Sequence, residues 1–241
     1  MKSVLLASLT LIITAFTAVS ADAPAKPAAK KRAPDASLAK IEDVPGLPRV
    51  LLIGDSISIG YTLPVRELLK GKANVHRIPT NGGPTTNGLA NLKTWLGDSK
   101  WDVIHFNWGL HDLKYIGSDP KVLADPKAEG SHPQVALADY EKNLATLVTR
   151  LKATDAKVIW CTTTPVPEGS SGRVLGDEKK YNEAAARVMK AAGVMTDDLC
   201  AHANAKLADV QLPKNVHYTV EGYKYLATKV AAEIEAQLPK K

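Results

Sequence analysis

Short apolar runs alternate along the chain with longer segments in which apolar residues recur every three or four positions. The runs are three to six residues long, and their β-branched and aliphatic content is typical of strands buried on both faces. They occupy residues 50–53, 74–78, 102–107, 157–161 and 194–196. This alternation predicts an α/β domain with a parallel five-stranded sheet, covered by helices on both faces through right-handed crossovers.

The periodic segments predict where the helices lie. Pro64 is typical of a helix's first turn, so we expect the first helix to begin close to it. Apolar faces predict further helices near residues 89–96, 137–151, 177–192, 199–207 and 223–234. Asp197 and Asp198 are candidate caps of the helix near residues 199–207. Residues 114–133 contain several Pro, Gly and Asp residues without a clear period, which predicts a long surface loop.

The first 46 residues differ in composition from the rest of the chain. A basic start, the apolar stretch 4–18 and a small-residue cleavage site have the layout of a signal peptide over residues 1–21. We therefore expect export to the periplasm or the extracellular space, with no membrane association after cleavage; a retained membrane anchor is the alternative. Residues 22–46 are rich in Ala, Pro and Lys, which predicts a disordered linker. Residues 47–241 suit a single domain.

The charge pattern bears on which polymers the chain could bind, and the cysteine content bears on disulfide formation. The formal net charge is +6, but basic residues alternate with acidic ones instead of forming a block with interleaved aromatics, which argues against nucleic acid binding. The balance is compatible with a weak attraction to acidic polymers such as uronate or sulfated glycans. Cys161 and Cys200 form one widely separated pair, for which a disulfide and buried free thiols are both open. We expect a monomer.

Polar and small residues follow the ends of successive predicted strands. Ser56 follows the first strand, Gly82 and Gly83 the second, His111 the third, and Thr162 to Thr164 the fourth. The carboxyl ends of parallel strands meet at one edge of a sheet, where open α/β folds bind their ligands. We therefore expect these residues to converge on one site.

Ser56 is a candidate nucleophile, because His217 carries the side chain best suited to take its proton. Acyl transfer also needs donors that face the oxyanion of the tetrahedral intermediate. The amides of Ser56 and of Gly83 or Gly82, together with the side chain of His111, are the candidates. In an isolated strand, turn and helix, Asp55 and Ser56 would be ordinary turn and capping residues; the rest of the chain makes the nucleophile the better interpretation of Ser56.

The chain contains four segments that resemble, in order, the four motif blocks of the SGNH/GDSL hydrolases. They read GDSIS, NGGPT, GLHD and NVHYTVEGYKYLA, and the resemblance spans residues 49–238. It implies the SGNH hydrolase fold, a flavodoxin-like three-layer α/β/α sandwich with strand order 2-1-3-4-5, and ester hydrolysis without a metal or other cofactor. By this match Ser56 is the nucleophile, His217 the general base, and the amide of Gly83, with Gly82 as the alternative, a donor to the oxyanion.

The chain departs from the family pattern at two positions. His111 stands where the family usually has an oxyanion-hole asparagine; a neutral imidazole N–H donates the same bond, and the alternative is a histidine packed beneath Trp108. Lys214 stands where the family has the aspartate that orients the catalytic histidine, which favours a Ser-His dyad. A backbone carbonyl or another carboxylate could orient the ring instead, and the sequence leaves four candidates open: Asp197, Asp198, Asp209 and Glu221.

Other side chains near the motifs have supporting or structural interpretations. We expect Asp55 and Asp112 to hold the surrounding loops, because carboxylates accept hydrogen bonds from free amides. The six histidines show no H-E-x-x-H or similar spacing, so we expect no metal. Trp108 and Tyr115 could stack on a sugar ring, although large aromatic residues are more often part of the core.

These observations favour an exported serine esterase that removes short acyl groups, acetyl above all, from a small-molecule or polysaccharide ester. The motifs indicate the esterase activity, whereas the carbohydrate substrate rests on export, the flanking aromatics and the habits of the family. A lipase or thioesterase is the enzymatic alternative, which a pocket for long acyl chains would favour. A degenerate member that binds glycans without hydrolysing them is the non-enzymatic alternative, which His111 and Lys214 would favour.

Overall fold

The computed structural model describes residues 35–239, in which the apolar runs form one parallel sheet. Its strands are β1 (Arg49–Ile53), β2 (Asn74–Arg77), β3 (Val103–Phe106), β4 (Lys157–Cys161) and β5 (Met195–Asp197). Their order is β2-β1-β3-β4-β5, and every neighbouring pair is parallel. The predicted fold class and strand order are confirmed. The predicted signal peptide, residues 1–21, and the predicted linker over residues 22–34 lie outside the described residues.

Two groups of helices cover the sheet. They are α1 (Ser56–Leu68), α2 (Thr85–Leu96), α3 (Leu137–Lys152), α4 (Asp177–Ala192), α5 (Leu199–Asn204), α6 (Leu207–Val210) and α7 (Val220–Glu235). Helix α1 packs against α7, and α3 packs against both α2 and α4. Residues 50–53 of β1 are at most 2% exposed, so both faces of the sheet are covered. Between residues 35 and 239, none of the helices has the length and apolar character needed to cross a bilayer.

Helix α1 begins at Ser56, so the expectation that it begins near Pro64 is wrong. An oxygen of the Asp55 side chain accepts the amide of Ile57 at 2.9 Å and caps the helix. Pro64 lies inside the helix, where its missing N–H removes one hydrogen bond to the carbonyl of Gly60. The aspartate cap therefore sets the start of α1, and it places the hydroxyl and the amide of Ser56 at the carboxyl edge of the sheet.

Residues 35–46, which belong to the predicted disordered linker, pack against the domain instead. Asn74 accepts the amide of Val44 at 2.9 Å and donates to its carbonyl at 3.0 Å. Arg66 donates to the carbonyl of Ala36 at 3.2 Å. These contacts use side chains of the domain and the backbone of the segment, so the composition of the segment gave no sign of them.

Two further segments differ from the sequence-based expectation. The predicted loop over residues 114–133 contains a short antiparallel ladder, in which Tyr115–Ile116 pairs with His132–Pro133. Strands of two residues are too short to leave a period in the sequence. The helix expected over residues 199–207 is divided into α5 and α6, and only one of its two candidate caps acts as such: Asp198 accepts the amide of Ala201 at 3.0 Å.

Candidate active site

The first and last motif segments meet at the carboxyl edge of the sheet. Oγ of Ser56 lies 2.8 Å from Nε2 of His217, although the two residues are 161 positions apart. Ser56 opens α1 and His217 lies just before α7, so the packing of these two helices holds the pair together. Gly60 permits the close approach, because a Cβ at this position would lie 2.2 Å from the ring of Tyr223.

Asn215 orients the imidazole and is absent from the residues predicted from the sequence. Its Oδ1 lies 2.7 Å from Nδ1 of His217 and accepts the backbone N–H of the same residue at 3.0 Å. A backbone N–H can only donate, so the oxygen of the amide, rather than its nitrogen, faces His217. Nδ1 therefore carries the proton, and the lone pair of Nε2 is free to accept the hydroxyl proton of Ser56. An asparagine two residues before the histidine is typical of an Asx turn, and this was the available signal.

None of the four candidate carboxylates is hydrogen-bonded or ion-paired to His217 within residues 35–239; these are Asp197, Asp198, Asp209 and Glu221. Asp197 bonds to His105 at 2.9 Å in the core of the sheet. Lys214 adopts a left-handed backbone with a φ of 54°. Its side chain packs over Gly169, where a Cβ would lie 3.0 Å from Cγ of the lysine. An amide therefore occupies the place that a carboxylate takes in a full triad.

Backbone donors for an oxyanion lie at the same edge. The amide of Ser56 is the first of α1, where no acceptor exists within the helix. The amide of Gly82 donates to the carbonyl of Gly54 at 2.9 Å and is committed to the backbone. The amide of Gly83 donates at 2.9 Å to Oδ1 of Asn81, a side chain that can rotate away. Of the two glycines, Gly83 is the better candidate donor.

The side chain of His111 is available to a ligand. It has no hydrogen-bond partner within the described residues and is partly exposed. Burial lowers the pKa of His111; Asp55 opposes this effect, whereas the charges of Lys114 and Arg173 add to it. The imidazole is therefore neutral around pH 7 and can donate one N–H.

Two buried carboxylates hold these segments in place. Asp55 caps α1, and Oδ1 of Asp112 accepts both the amide and the hydroxyl of Thr85, at 2.8 and 2.5 Å. Thr85 lies two residues after Gly83, so Asp112 ties the segment of His111 to the segment of Gly83. Burial raises the pKa of Asp112 to about 7, although the bonds from Thr85 oppose the shift.

The environment of His217 keeps its imidazole neutral. Burial lowers the pKa of His217, Asp55 opposes this effect, and Arg173 adds to it. A base must be deprotonated to accept a proton, so a lowered pKa extends the pH range in which His217 is competent toward lower pH.

One cluster of metal-ligating side-chain types lies in the core. Within residues 35–239 the only cluster with metal-ligating side chains is His105, Cys161 and Asp197, each at most 1% exposed. Nε2 of His105 and Oδ2 of Asp197 are hydrogen-bonded directly, so this is a buried polar pair with a neighbouring thiol. Cys161 and Cys200 are free thiols.

Trp108 is 1% exposed and packs on Gly88, so it belongs to the core and has no face for a sugar. The carbonyl of Trp108 accepts the hydroxyl of Thr163 at 3.2 Å, which joins the ends of β3 and β4. Tyr115 lies half-buried in the short ladder. The strand ends thus converge as expected, with the threonines as supporting residues.

Comparisons with known proteins agree with this architecture. Residues 52–225 match the family model of the GDSL-like lipase/acylhydrolases. No curated protein sequence matches the chain. A lipase/acylhydrolase structure from Enterococcus faecalis is 19% identical with a TM-score of 0.65, and the match covers 81% of this chain and 99% of that one. The acetylxylan esterase Axe2 from Geobacillus stearothermophilus is 19% identical with a TM-score of 0.63, covering 78% and 94%. At these identities, the structures share the fold.

Proposed function

Because the chain belongs to the GDSL-like lipase/acylhydrolase family and is a carboxylic ester hydrolase, we propose that Ser56 is its nucleophile and His217 its general base. The hydrogen bond of 2.8 Å between Oγ and Nε2 carries the proposal. His217 takes the hydroxyl proton as Oγ attacks the ester carbonyl, and it returns the proton to the leaving alcohol. A water activated by the same imidazole then hydrolyses the acyl-enzyme.

The oxyanion of each tetrahedral intermediate is bound by the amides of Ser56 and Gly83 and by the imidazole of His111. The amide of Gly83 becomes available when the side chain of Asn81, which accepts its bond at 2.9 Å, rotates away. Such donors act on charge that develops only in the transition state, and removal of one typically costs about 100- to 1000-fold in rate. The buried carboxylates Asp55 and Asp112 position these donors.

Asn215 completes a Ser-His-Asn arrangement. Its Oδ1 fixes the tautomer and the orientation of His217 through two hydrogen bonds. It contributes no charge, so the imidazolium that forms during the reaction gains only the hydrogen bonds and the distant field of Asp55.

The substrate that we propose is a short acyl ester, acetyl above all, on carbohydrate, hydrolysed outside the cytoplasm by a monomer. Two of the structures that share the fold carry the name acetylxylan esterase. The polar groups around Ser56, including Asn81, His111 and Asn215, suit a small polar substrate better than a long acyl chain. The composition of the first 21 residues supports export.

A single set of assays tests the proposal. Ser56→Ala should abolish the release of 4-nitrophenol from 4-nitrophenyl acetate, whereas the exposed Ser99→Ala, a matched control, should leave it unchanged. Acetate should be released from acetylated xylan, and acetyl esters should be preferred over octanoyl esters. Residual hydrolysis in Ser56→Ala would refute the nucleophile, and a preference for octanoyl esters would refute the substrate class. N-terminal sequencing of the exported protein should begin at Asp22.

A further inference from the structure

The loop between β4 and α4 places a guanidinium beside the candidate oxyanion donors. Nη2 of Arg173 donates to the carbonyl of Leu110, the residue before His111, at 3.2 Å. Nη1 donates to the carbonyl of Ser171 at 3.3 Å. Nε is buried and has no partner, and within residues 35–239 no carboxylate forms an ion pair with Arg173. The arginine therefore carries a largely buried charge that only backbone carbonyls contact.

Lys114 brings a second positive charge to the same place. The amide of Tyr115 donates to the carbonyl of Gly172 at 2.7 Å, which holds residues 114 and 173 next to each other. The ammonium group of Lys114 has no hydrogen-bond or ion-pair partner in the described part of the chain. Burial lowers the pKa of Lys114, and the charge of Arg173 lowers it further.

Two adjacent cations without an ion-paired carboxylate are unfavourable in a partly buried position. The charge of Asp55 partly offsets the lowering of the pKa of Arg173 by burial, but Asp55 forms no ion pair with it. Elsewhere in the described residues, several surface cations have a carboxylate partner, such as Arg187 with Glu141 at 2.7 Å. The cations beside His111 are left without one at the point where substrate would arrive. An anion on the substrate would offset both charges.

We propose that Arg173 and Lys114 form an anion subsite that binds a carboxylate carried by the substrate next to the ester under attack. This inference rests on the proposed function and narrows its substrates to esters that also carry a carboxylate. The planar guanidinium matches a carboxylate in shape, and the lysine adds a point charge. The carboxylate belongs either to the sugar, as in an acetylated uronate, or to a small organic acid, and the chemistry is the same in both cases.

The first test compares two small esters that differ in charge, 4-acetoxybenzoate and 4-acetoxybenzamide. Each kcat/KM is divided by the rate of spontaneous hydrolysis, and the ratio of the anionic to the neutral value is taken. The ratio should exceed one in the unmodified protein and decrease with added salt. Arg173→Gln should lower this ratio by roughly tenfold, since a hydrogen bond between charged groups is worth about tenfold or more in binding. Lys114→Gln should lower the ratio by less, because Lys114 is less buried than Arg173. Lys121→Gln, which removes an exposed charge from the same loop, should leave it unchanged.

The ratio of the anionic to the neutral ester distinguishes loss of the anion subsite from general damage to the active site. Arg173→Gln also removes the bond to Leu110, which affects both esters, whereas loss of the anion subsite affects the charged ester alone. Arg173→Lys should keep part of the preference. A ratio of one in the unmodified protein, or the same ratio in Arg173→Gln, would overturn the subsite. Failure of the proposed esterase mechanism would give a different result: Ser56→Ala would still hydrolyse the neutral ester.

The second test identifies the source of the carboxylate. Acetylated oligogalacturonate and acetylated xylo-oligosaccharide are compared in the same variants. Faster deacetylation of the oligogalacturonate that depends on Arg173 assigns the carboxylate to the sugar. An Arg173-dependent preference confined to 4-acetoxybenzoate assigns it to a small acid. Both results support the subsite, and a neutral sugar preferred by every variant contradicts it.

Discussion

Replacement of Asn215 by aspartate would place a negative charge beside His217 without removing a contact. A carboxylate oxygen accepts the two N–H groups that Oδ1 now accepts at 2.7 and 3.0 Å. Over about 4 Å, at an effective dielectric constant of about 20, the attraction between this charge and the imidazolium is about 4 kcal/mol. Asn215 is exposed, so solvent screening reduces it to about 1 to 2 kcal/mol, or roughly one pKa unit.

The consequences for catalysis have a defined sign. A stabilised imidazolium raises the pKa of His217, so the acid limb of kcat/KM should move about one unit to higher pH. The same stabilisation acts in the transition state, so kcat on the alkaline side of this limb should increase by about tenfold. Initial rates with 4-nitrophenyl acetate across acidic to neutral pH measure both quantities. Asn215→Ala should lower kcat, because the imidazole is then no longer oriented. General base catalysis contributes about 100-fold or more to the rate, and part of this factor should be lost.

The control for Asn215→Asp is Gln237→Glu, which adds the same charge near the C-terminal end of α7, the end away from His217. It should leave the acid limb unchanged. An unchanged acid limb in Asn215→Asp would contradict the predicted effect of charge on the imidazole, and an unchanged kcat in Asn215→Ala would show that Asn215 does not orient it.

Three further substitutions test the site and its support. His111→Ala should lower kcat about 100- to 1000-fold with little change in KM, and near-normal turnover would exclude His111 as an oxyanion donor. Burial raises the pKa of Asp112 from 3.8 to about 7, so ionisation of this carboxyl should destabilise the native state as the pH rises through that interval. Urea unfolding should show that the difference in unfolding free energy between the native protein and Asp112→Asn changes by up to about 4 kcal/mol across it. Gly60→Ala should lower the free energy of unfolding by about 1 to 3 kcal/mol, because its Cβ would lie 2.2 Å from the ring of Tyr223. The melting temperature should fall accordingly, and an unchanged melting temperature would contradict this packing.

The fold could be predicted because its signals are local. Each strand is a compact apolar run, and each long helix has an apolar face, so the sequence of elements along the chain and the fold class follow from these signals. The order of the strands within the sheet was implied instead by the resemblance to the SGNH/GDSL hydrolases. The errors occur where two local signals compete or where contacts are distant. Asp55 and Pro64 both indicate a helix start, and the sequence does not show that the cap prevails. The packing of residues 35–46 depends on Asn74 and Arg66, which lie far along the chain.

The site could be predicted in part for a similar reason. The carboxyl ends of parallel strands converge, so Ser56, Gly83 and His111 could be brought together without coordinates. The role of Asn215 depends instead on which atom of its amide faces the ring, and spacing alone does not show this. Arg173 lies in a segment without periodicity, and only the bond to Leu110 shows that it reaches the site.

His217 has no carboxylate partner in the described residues, and a substrate carboxylate in the anion subsite would change the charge around its imidazole. Arg173 lowers the pKa of His217, and the amide of Asn215 supplies no charge to offset this effect. A substrate carboxylate bound by Arg173 and Lys114 would offset it and raise the pKa of His217 in the complex. The acid limb of kcat, which reports the complex, should therefore lie at higher pH for 4-acetoxybenzoate than for 4-acetoxybenzamide, whereas the acid limb of kcat/KM should be the same for both. The difference should disappear in Arg173→Gln, and equal acid limbs of kcat in the unmodified protein would contradict this coupling.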